Sequence, residues 1–350
     1  MGDLPKIPSH DQRPSQHAEV VLRTEELTKR FDTFTAVDHL GIEIYRGDVY
    51  GLLGPNGSGK TTTIRMLLGL IHPTSGQVTT LGYAMGDEKQ RYRALHHMGA
   101  IVEQPVFYPF LTGRENLRGI ATFGCMANNQ TTDERIEEVL ELVDMATRAN
   151  DSYSKYSLGM KQRLALAATL VHYPQLIILD EPTNGLDPAG VVEIRELIGR
   201  LSQQGITILL SSHQLHEIQQ VCSRVAIIKR GKLLVQGNVQ DLLSEQQCIL
   251  LGFAEPTLLQ QAELLLHTQP DGDLRWMRHA RIVTAPTNTG WTPPGGQLLE
   301  VEATMEQAGA VNAFLAERGI YATEIRRRET SLEQYFLELT ATPLHATTPA

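Results

Sequence analysis

This chain is poor in cysteine, has no long apolar run, and has fewer basic than acidic residues. Three cysteines among 350 residues, Cys125, Cys222 and Cys248, form neither a metal-ligand spacing nor a disulfide framework. They are expected to be reduced thiols in a cytosolic setting. A membrane span needs roughly 20 mainly apolar residues. Apolar runs such as LIIL (176–179) reach only the length of a core strand. The opening MGDLPKIPSHDQRPSQH carries charges and prolines but no apolar stretch, so it does not read as a signal peptide, and residues 1–18 are expected to be a disordered tail. With 31 Lys and Arg against 40 Asp and Glu, the formal charge of −9 argues against a nucleic-acid surface. The length suits one large domain and a smaller one.

What the chain does contain is GPNGSGKTT, residues 54–62, which fits G-x-x-x-x-G-K-[ST]. On the order of 1 % of chains this long would carry the pattern by chance. Its context excludes that reading here. VYGLLG before it reads as a short buried strand, and Ile64, Leu67, Leu68 and Ile71 after it mark one apolar helix face. Gly54, Gly57 and Gly59 let the backbone turn tightly and aim its N–H groups inward. Lys60 is expected at the β- and γ-phosphates of a nucleotide, and the Thr61 hydroxyl on Mg²⁺.

Upstream, residues 19–47 read as short strands, with Leu40, Ile42 and Ile44 alternating along one of them. Phe31 lies a few tens of residues ahead of the loop, and spacing alone favours a core position for it. GAIVEQP (99–105) reads as a strand running into a loop, with Glu103 and Gln104 at its end. Residues 112–172 read as helical. They include a capping box at Thr131 and Glu134, a stripe of Ile136, Val139, Leu140 and Val143, and a further helix from Lys161 to Leu170 after the turn YSLGM.

LIILDEP (176–182) is an unalternated apolar run ending in two carboxylates, as expected of a parallel strand whose carboxyl end opens on a ligand crevice. Asp180 is then placed to hold Mg²⁺ through its water shell, and Glu181 to polarise an attacking water. A helix with Ile194, Leu197, Ile198 and Leu201 stops at Gly205. ITILLSS (206–212) follows as a buried strand with His213 at its end, and residues 224–237 read as two strands joined at 229–231. Alternation of β and α from Val49 to Gly237 indicates a largely parallel α/β sheet. Beyond Gly237 the order strand, helix, strand, helix, strand, helix suggests a small α+β domain of ferredoxin-like type to about residue 340, followed by a tail. Arg326 to Arg328 read as a solvated strand end.

Taken in order, these motifs resemble the nucleotide-binding subunit of an ABC transporter, a P-loop ATPase, over residues 21–237, with residues 19–237 as the whole nucleotide-binding domain. The loop resembles Walker A, so Gly54, Pro55, Asn56, Gly57, Ser58, Gly59, Lys60, Thr61 and Thr62 are implied to hold ATP. LIILDE resembles Walker B, ILLSSH puts a switch histidine at His213, and NGLDP resembles the D-loop, with Asp187 near the nucleotide. The resemblance also turns Phe31 into the aromatic that stacks on adenine. YSLGMKQR resembles the signature motif, keeping Ser157 and Gly159 but carrying Leu158 for a glycine and Met160 for a glutamine. At the Q-loop, alignment on Pro105 places Glu103 at the metal-binding position, with Gln104 one residue away.

The signature variant, FYPFLTGRENL and SLEQYFLELT resemble the bacitracin-resistance type of exporter ATPase. That resemblance implies ATP bound between two copies or two related ATPases, and a separate multi-span permease that holds the chain on the inner face of the cell membrane. Glu181, His213 and Lys60 are its implied catalytic residues. Phe107, Tyr108, Phe110 and Leu117 are either core of the helical region or a patch for the permease. The competing reading is a soluble ABC ATPase acting on ribosomes or DNA. One ATPase domain, no sustained heptads and no cysteine cluster weigh against it.

Overall fold

The backbone follows the apolar pattern of the sequence in two units, one running to Val239 and one from Gln240. The computed structural model describes residues 19–103, 107–122, 131–244, 248–268, 274, 279–284, 294–328 and 331–341. The readings for Gln104, Pro105, Cys125, the segment 1–18 and the segment beyond 341 lie outside these residues.

The first unit begins with β1 (Val20–Phe31), β2 (Phe34–Leu40), β3 (Glu43–Tyr45), β4 (Val49–Leu53) and α1 (Lys60–Leu67). The alternating residues Leu40, Ile42 and Ile44 are all buried, but they span two strands rather than one. The break at residues 41 and 42 is tolerated because buried Thr24 serves it. Its hydroxyl donates to the Leu40 carbonyl at 2.9 Å and accepts from the Ile42 N–H at 3.0 Å. The chain continues through β5 (Ser75–Thr80), β6 (Tyr83–Ala84), α2 (Glu88–Leu95) and β7 (Met98–Ile101).

Three helices follow: α3 (Gly113–Ala121), α4 (Thr132–Leu142) and α5 (Leu158–Leu170). Both halves of the capping box at Thr131 and Glu134 are formed, and Ile136, Val139, Leu140 and Val143 are fully buried. Helix α5 starts three residues before the expected Lys161. The Ser157 side chain accepts from the Met160 N–H at 3.3 Å and caps it, so the glycine in YSLGM lies inside the first turn rather than in a loop. The unit closes with β8 (Leu176–Asp180), α6 (Pro188–Gln203), β9 (Thr207–Ser212), α7 (Leu215–Val221) and the antiparallel pair β10 (Arg224–Lys229) and β11 (Lys232–Asn238).

Two sheets result. One is antiparallel, ordered β2-β1-β5-β6 with β3 also on β1, and the other is ordered β11-β10-β4-β9-β8-β7 and is parallel from β10 to β7. Leu22, Val37, Leu52, Ile64, Ile178 and Leu209 belong to the core cluster of this unit. The crossover order puts the carboxyl ends of β4, β9, β8 and β7 side by side at one edge of the sheet.

A short helix α8 (Val239–Ser244) spans the division between units. The second unit runs β12 (Cys248–Gly252), α9 (Pro256–Thr268), β13 (Ala280–Thr284), β14 (Gln297–Glu302), α10 (Ala308–Ala316), β15 (Glu324–Arg327) and α11 (Leu332–Ala341). Its antiparallel sheet is ordered β13-β14-β12-β15, the split-βαβ arrangement of ferredoxin-like folds. Edge strand β13 was not anticipated, because ARIVT offers little alternation to distinguish it from loop. Cys222 and Cys248 are free thiols, and burial, with Glu300 nearby, pushes the Cys248 thiol up to about 11.

Gly99 on β7 lets α5 pack closely against the sheet. A Cβ there would stand 2.7 Å from both the Cβ and the carbonyl oxygen of Thr169. Gly99→Val is expected to destabilise the first unit by about 1–3 kcal/mol through overpacking. Equilibrium urea denaturation measures it, and an unchanged midpoint would mean that α5 can back away without loss.

Candidate functional site

The loop between β4 and α1 is shaped by its glycines. A Cβ on Gly54 would lie 2.2 Å from the Ile228 carbonyl oxygen and 2.5 Å from Ser58 Oγ. Gly59 has φ of 109° and passes so near Ala36 that a Cβ would meet its carbonyl oxygen at 2.5 Å. Gly59 is also the N-cap of α1 and gives the first turn no side-chain cap, so its N–H groups face an anion position. Ser58 Oγ is buried without a hydrogen-bond partner among the described residues. A tight loop, an uncapped helix start and an unused buried hydroxyl together fit a polyphosphate.

Lys60, only 6 % exposed, folds back over this loop. Its Nζ donates to the Gly54 carbonyl at 2.8 Å and reaches the Pro55 carbonyl at 3.4 Å. It also stands 3.3 Å from Glu181 Oε1. The other carboxylate oxygen of Glu181 lies 2.7 Å from His213 Nδ1. One carboxylate thus links the lysine of the first loop to the histidine after β9. Thr61 and Thr62 follow on the first turn of α1, both partly exposed.

Asp180 ends β8, and Glu181 follows with φ of 50°. That left-handed backbone is unusual for a residue with a side chain and costs of order 1–3 kcal/mol. The Glu181 N–H donates to Ser211 Oγ at 3.0 Å, and the same hydroxyl donates to Asp180 Oδ1 at 2.5 Å. Just beyond, the Thr183 hydroxyl donates to Glu217 Oε2 at 2.6 Å and ties the loop to α7. Sequence reasoning passed over Ser211 and Glu217. The available signal for Ser211 was the pair of serines that ends ITILLSS at the edge that carries His213.

Among the described residues, none of Phe31, Glu103, Ser157, Gly159 and Asp187 hydrogen-bonds to Lys60, Asp180, Glu181 or His213. The Phe31 ring is 47 % exposed at the end of β1, not in the core that spacing favoured, and Lys29 Nζ sits 5.1 Å from its centroid. Glu103 pairs with Arg65 on α1, one turn past Thr61, and its carboxylate is largely exposed. Ser157 caps α5, with Gly159 in the first turn of that helix. Asp187 caps α6, accepting from the Gly190 N–H at 3.0 Å. Leu158 lies over the D-loop, its Cδ2 3.3 Å from where a Cβ on Gly185 would stand.

Phe107 and Leu117 are buried, whereas Tyr108 and Phe110 are 64 % and 74 % exposed with ring centroids 5.8 Å apart. Among the described residues no helix is long and apolar enough to cross a membrane.

Comparison with known proteins agrees with this geometry. The ABC transporter family model matches residues 37–184. The bacitracin transport ATP-binding protein BcrA of Bacillus licheniformis is 40 % identical over 321 residues, covering 91 % of this chain and 97 % of that protein. The linearmycin resistance ATP-binding protein LnrL of Bacillus subtilis is 36 % identical over 224 residues, 64 % of this chain and 71 % of that one. Among solved structures, cbiO1 of Clostridium perfringens, part of the ABC transporter complex cbiONQ, superposes with a TM-score of 0.59 at 28 % identity, covering 65 % of this chain and 92 % of that chain. The loop, the carboxylate pair and the histidine therefore stand in a chain that belongs to the ABC transporter ATP-binding family, an ATPase whose hydrolysis is coupled to transport.

Proposed function

We propose that this chain is the ATP-hydrolysing subunit of an exporter, working with a separate multi-span permease. The observation that carries the reading is the Glu181 carboxylate, held between Lys60 Nζ at 3.3 Å and His213 Nδ1 at 2.7 Å beside a phosphate-shaped loop. In this reading Lys60 leaves its own carbonyls for the β- and γ-phosphate oxygens. Glu181, released from Lys60, orients a water in line with the γ-phosphate and accepts its proton. His213 holds the second oxygen of Glu181 and adds a donor where charge develops.

The hydroxyl of Thr61 and the carboxylate of Asp180 are oxygen donors of the kind magnesium takes. A bound Mg²⁺ supplies positive charge to the phosphate oxygens. Of the Q-loop pair, Glu103 is the proposed third donor, which requires it to exchange Arg65 for the metal. Phe31, exposed at the end of β1, is the proposed adenine platform. Ser157, Gly159 and Asp187 are assigned to the nucleotide of a facing ATPase, either a second copy or a related chain. The Ser157 oxygen already accepts from Met160, so its proton remains for a phosphate. The direction of transport rests on likeness to the bacitracin and linearmycin proteins.

Exposed Tyr108 and Phe110 are the proposed dock for the permease.

Glu181→Gln is expected to keep ATP binding while turnover falls by ~10²–10⁴, the contribution of a positioned base. Size exclusion should then show an ATP-dependent dimer. Near-normal turnover would remove Glu181 from the role. The dock is tested by fractionating host cells that express a Tyr108→Glu, Phe110→Glu double variant. The variant should hydrolyse ATP in isolation but leave the membrane fraction, and retention there would move the dock elsewhere.

A further inference from the structure

Among the described residues, Ser211 is the one polar side chain hydrogen-bonded to both carboxylate residues at the end of β8. It is fully buried, and it stands in register with Asp180 on β8 and with Leu52 on β4. Its Oγ accepts the Glu181 N–H at 3.0 Å and donates to Asp180 Oδ1 at 2.5 Å. A hydroxyl has a single proton. With a backbone N–H already pointing at the oxygen, that proton has one destination, the Asp180 carboxylate. The rotor is therefore fixed by its two neighbours.

We propose that Ser211 is a positioning residue for ATP hydrolysis, orienting the metal-side carboxylate of Asp180 and the left-handed turn at Glu181 through one hydroxyl. The inference rests on the roles proposed above for those two residues. Holding Oδ1 fixes the carboxylate plane and leaves the other Asp180 oxygen available to a ligand. Anchoring the Glu181 N–H stabilises the φ of 50° that aims its side chain at Lys60 and His213.

Neither bond is needed to build the sheet, because Ser211 lies in β9 between two parallel neighbours whatever its side chain. The loop after Glu181 has its own tether, from Thr183 to Glu217 at 2.6 Å. Removing the hydroxyl thus loosens orientation while leaving the strand order and the second tether in place.

The test uses the full-length chain and Ser211→Ala, with Ser211→Thr as the variant that keeps the hydroxyl. In Ser211→Ala, kcat should fall about 10–100-fold, the usual loss when a partner behind a metal or catalytic ligand is removed. The Mg²⁺ concentration for half-maximal activity should rise. Binding of a fluorescent ATP analogue in EDTA should not change, and Ser211→Thr should recover most of kcat. Unchanged kcat in Ser211→Ala would overturn the proposal. So would a threonine chain as slow as the alanine one, or a loss of EDTA-phase binding in proportion to the loss of rate. If the alanine chain does not fold, Ser211→Cys serves, since its thiol is a weak donor of similar size. Failure of both to fold would make Ser211 a purely structural residue.

A Glu181→Gln, Ser211→Ala double variant separates this idea from the assignment of the base. With Ser211 acting through both carboxylates, the second substitution should remove less from kcat than Ser211→Ala removes alone, while the Mg²⁺ shift carried by Asp180 persists. If Glu181→Gln alone proves active, the base assignment falls, and the Mg²⁺ shift still decides the role of Ser211.

Discussion

The register of adjacent parallel strands governs the site. Leu53 pairs with Ser212 and Asp180 with Ser211, so β4, β9 and β8 end level with one another. Loops leaving those ends meet without any long-range reach by a side chain. Because side chains alternate along a strand, a slip of one residue in β8 would turn Asp180 to the opposite face. Burial prevents that slip. Ile177, Ile178 and Leu179 are all fully buried, so a shifted register would have to repack both faces of the sheet. The hydrophobic core thus fixes the positions of two charged residues that it does not contain.

Charge at that edge is compensated from within. A lysine as buried as Lys60 must be paired, and the Gly54 and Pro55 carbonyls and the Glu181 carboxylate supply the partners. The same cation therefore serves the folded chain and the proposed phosphate site in turn. In the second unit an analogous arrangement has only a structural reading. Glu300 on β14 is 6 % exposed and is held between Arg281 and Arg328. The arginine-rich strand end is accordingly a compensated charge network rather than a purely solvated one.

How much of this was legible varied with how local the cause is. The strands LIILDEP and ITILLSS, the helix after the loop and the capping box at Thr131 could be read because each announces itself within a few residues. The split between β2 and β3 could not, because it depends on the hydroxyl of Thr24, distant in sequence. The start of α5 was missed because a serine followed by Leu-Gly looks like a turn until its capping bond is known. Position alone could not decide Phe31, whose exposure depends on how the end of the β1–β2 hairpin sits. The cluster of Lys60, Asp180, Glu181 and His213 was legible as four separate motif positions. Its internal wiring through Ser211 was not, since a serine in a strand carries no signal of which neighbour it will bond.

The positive φ at Glu181 also bears on how the molecule fails when heated. A strained turn is kept only while its surroundings over-determine it. Here those surroundings are the last residues of β9 and the short helix α7, which spans only Leu215–Val221. A short helix whose buried contact rests on Ile218 opens locally before a sheet core does. Once α7 frays, the Thr183–Glu217 tether goes with it and the turn can relax toward ordinary backbone. With the role proposed for Glu181, catalytic competence is then expected to disappear while the parallel sheet is still intact, so that thermal inactivation runs ahead of thermal unfolding and is reversed on cooling.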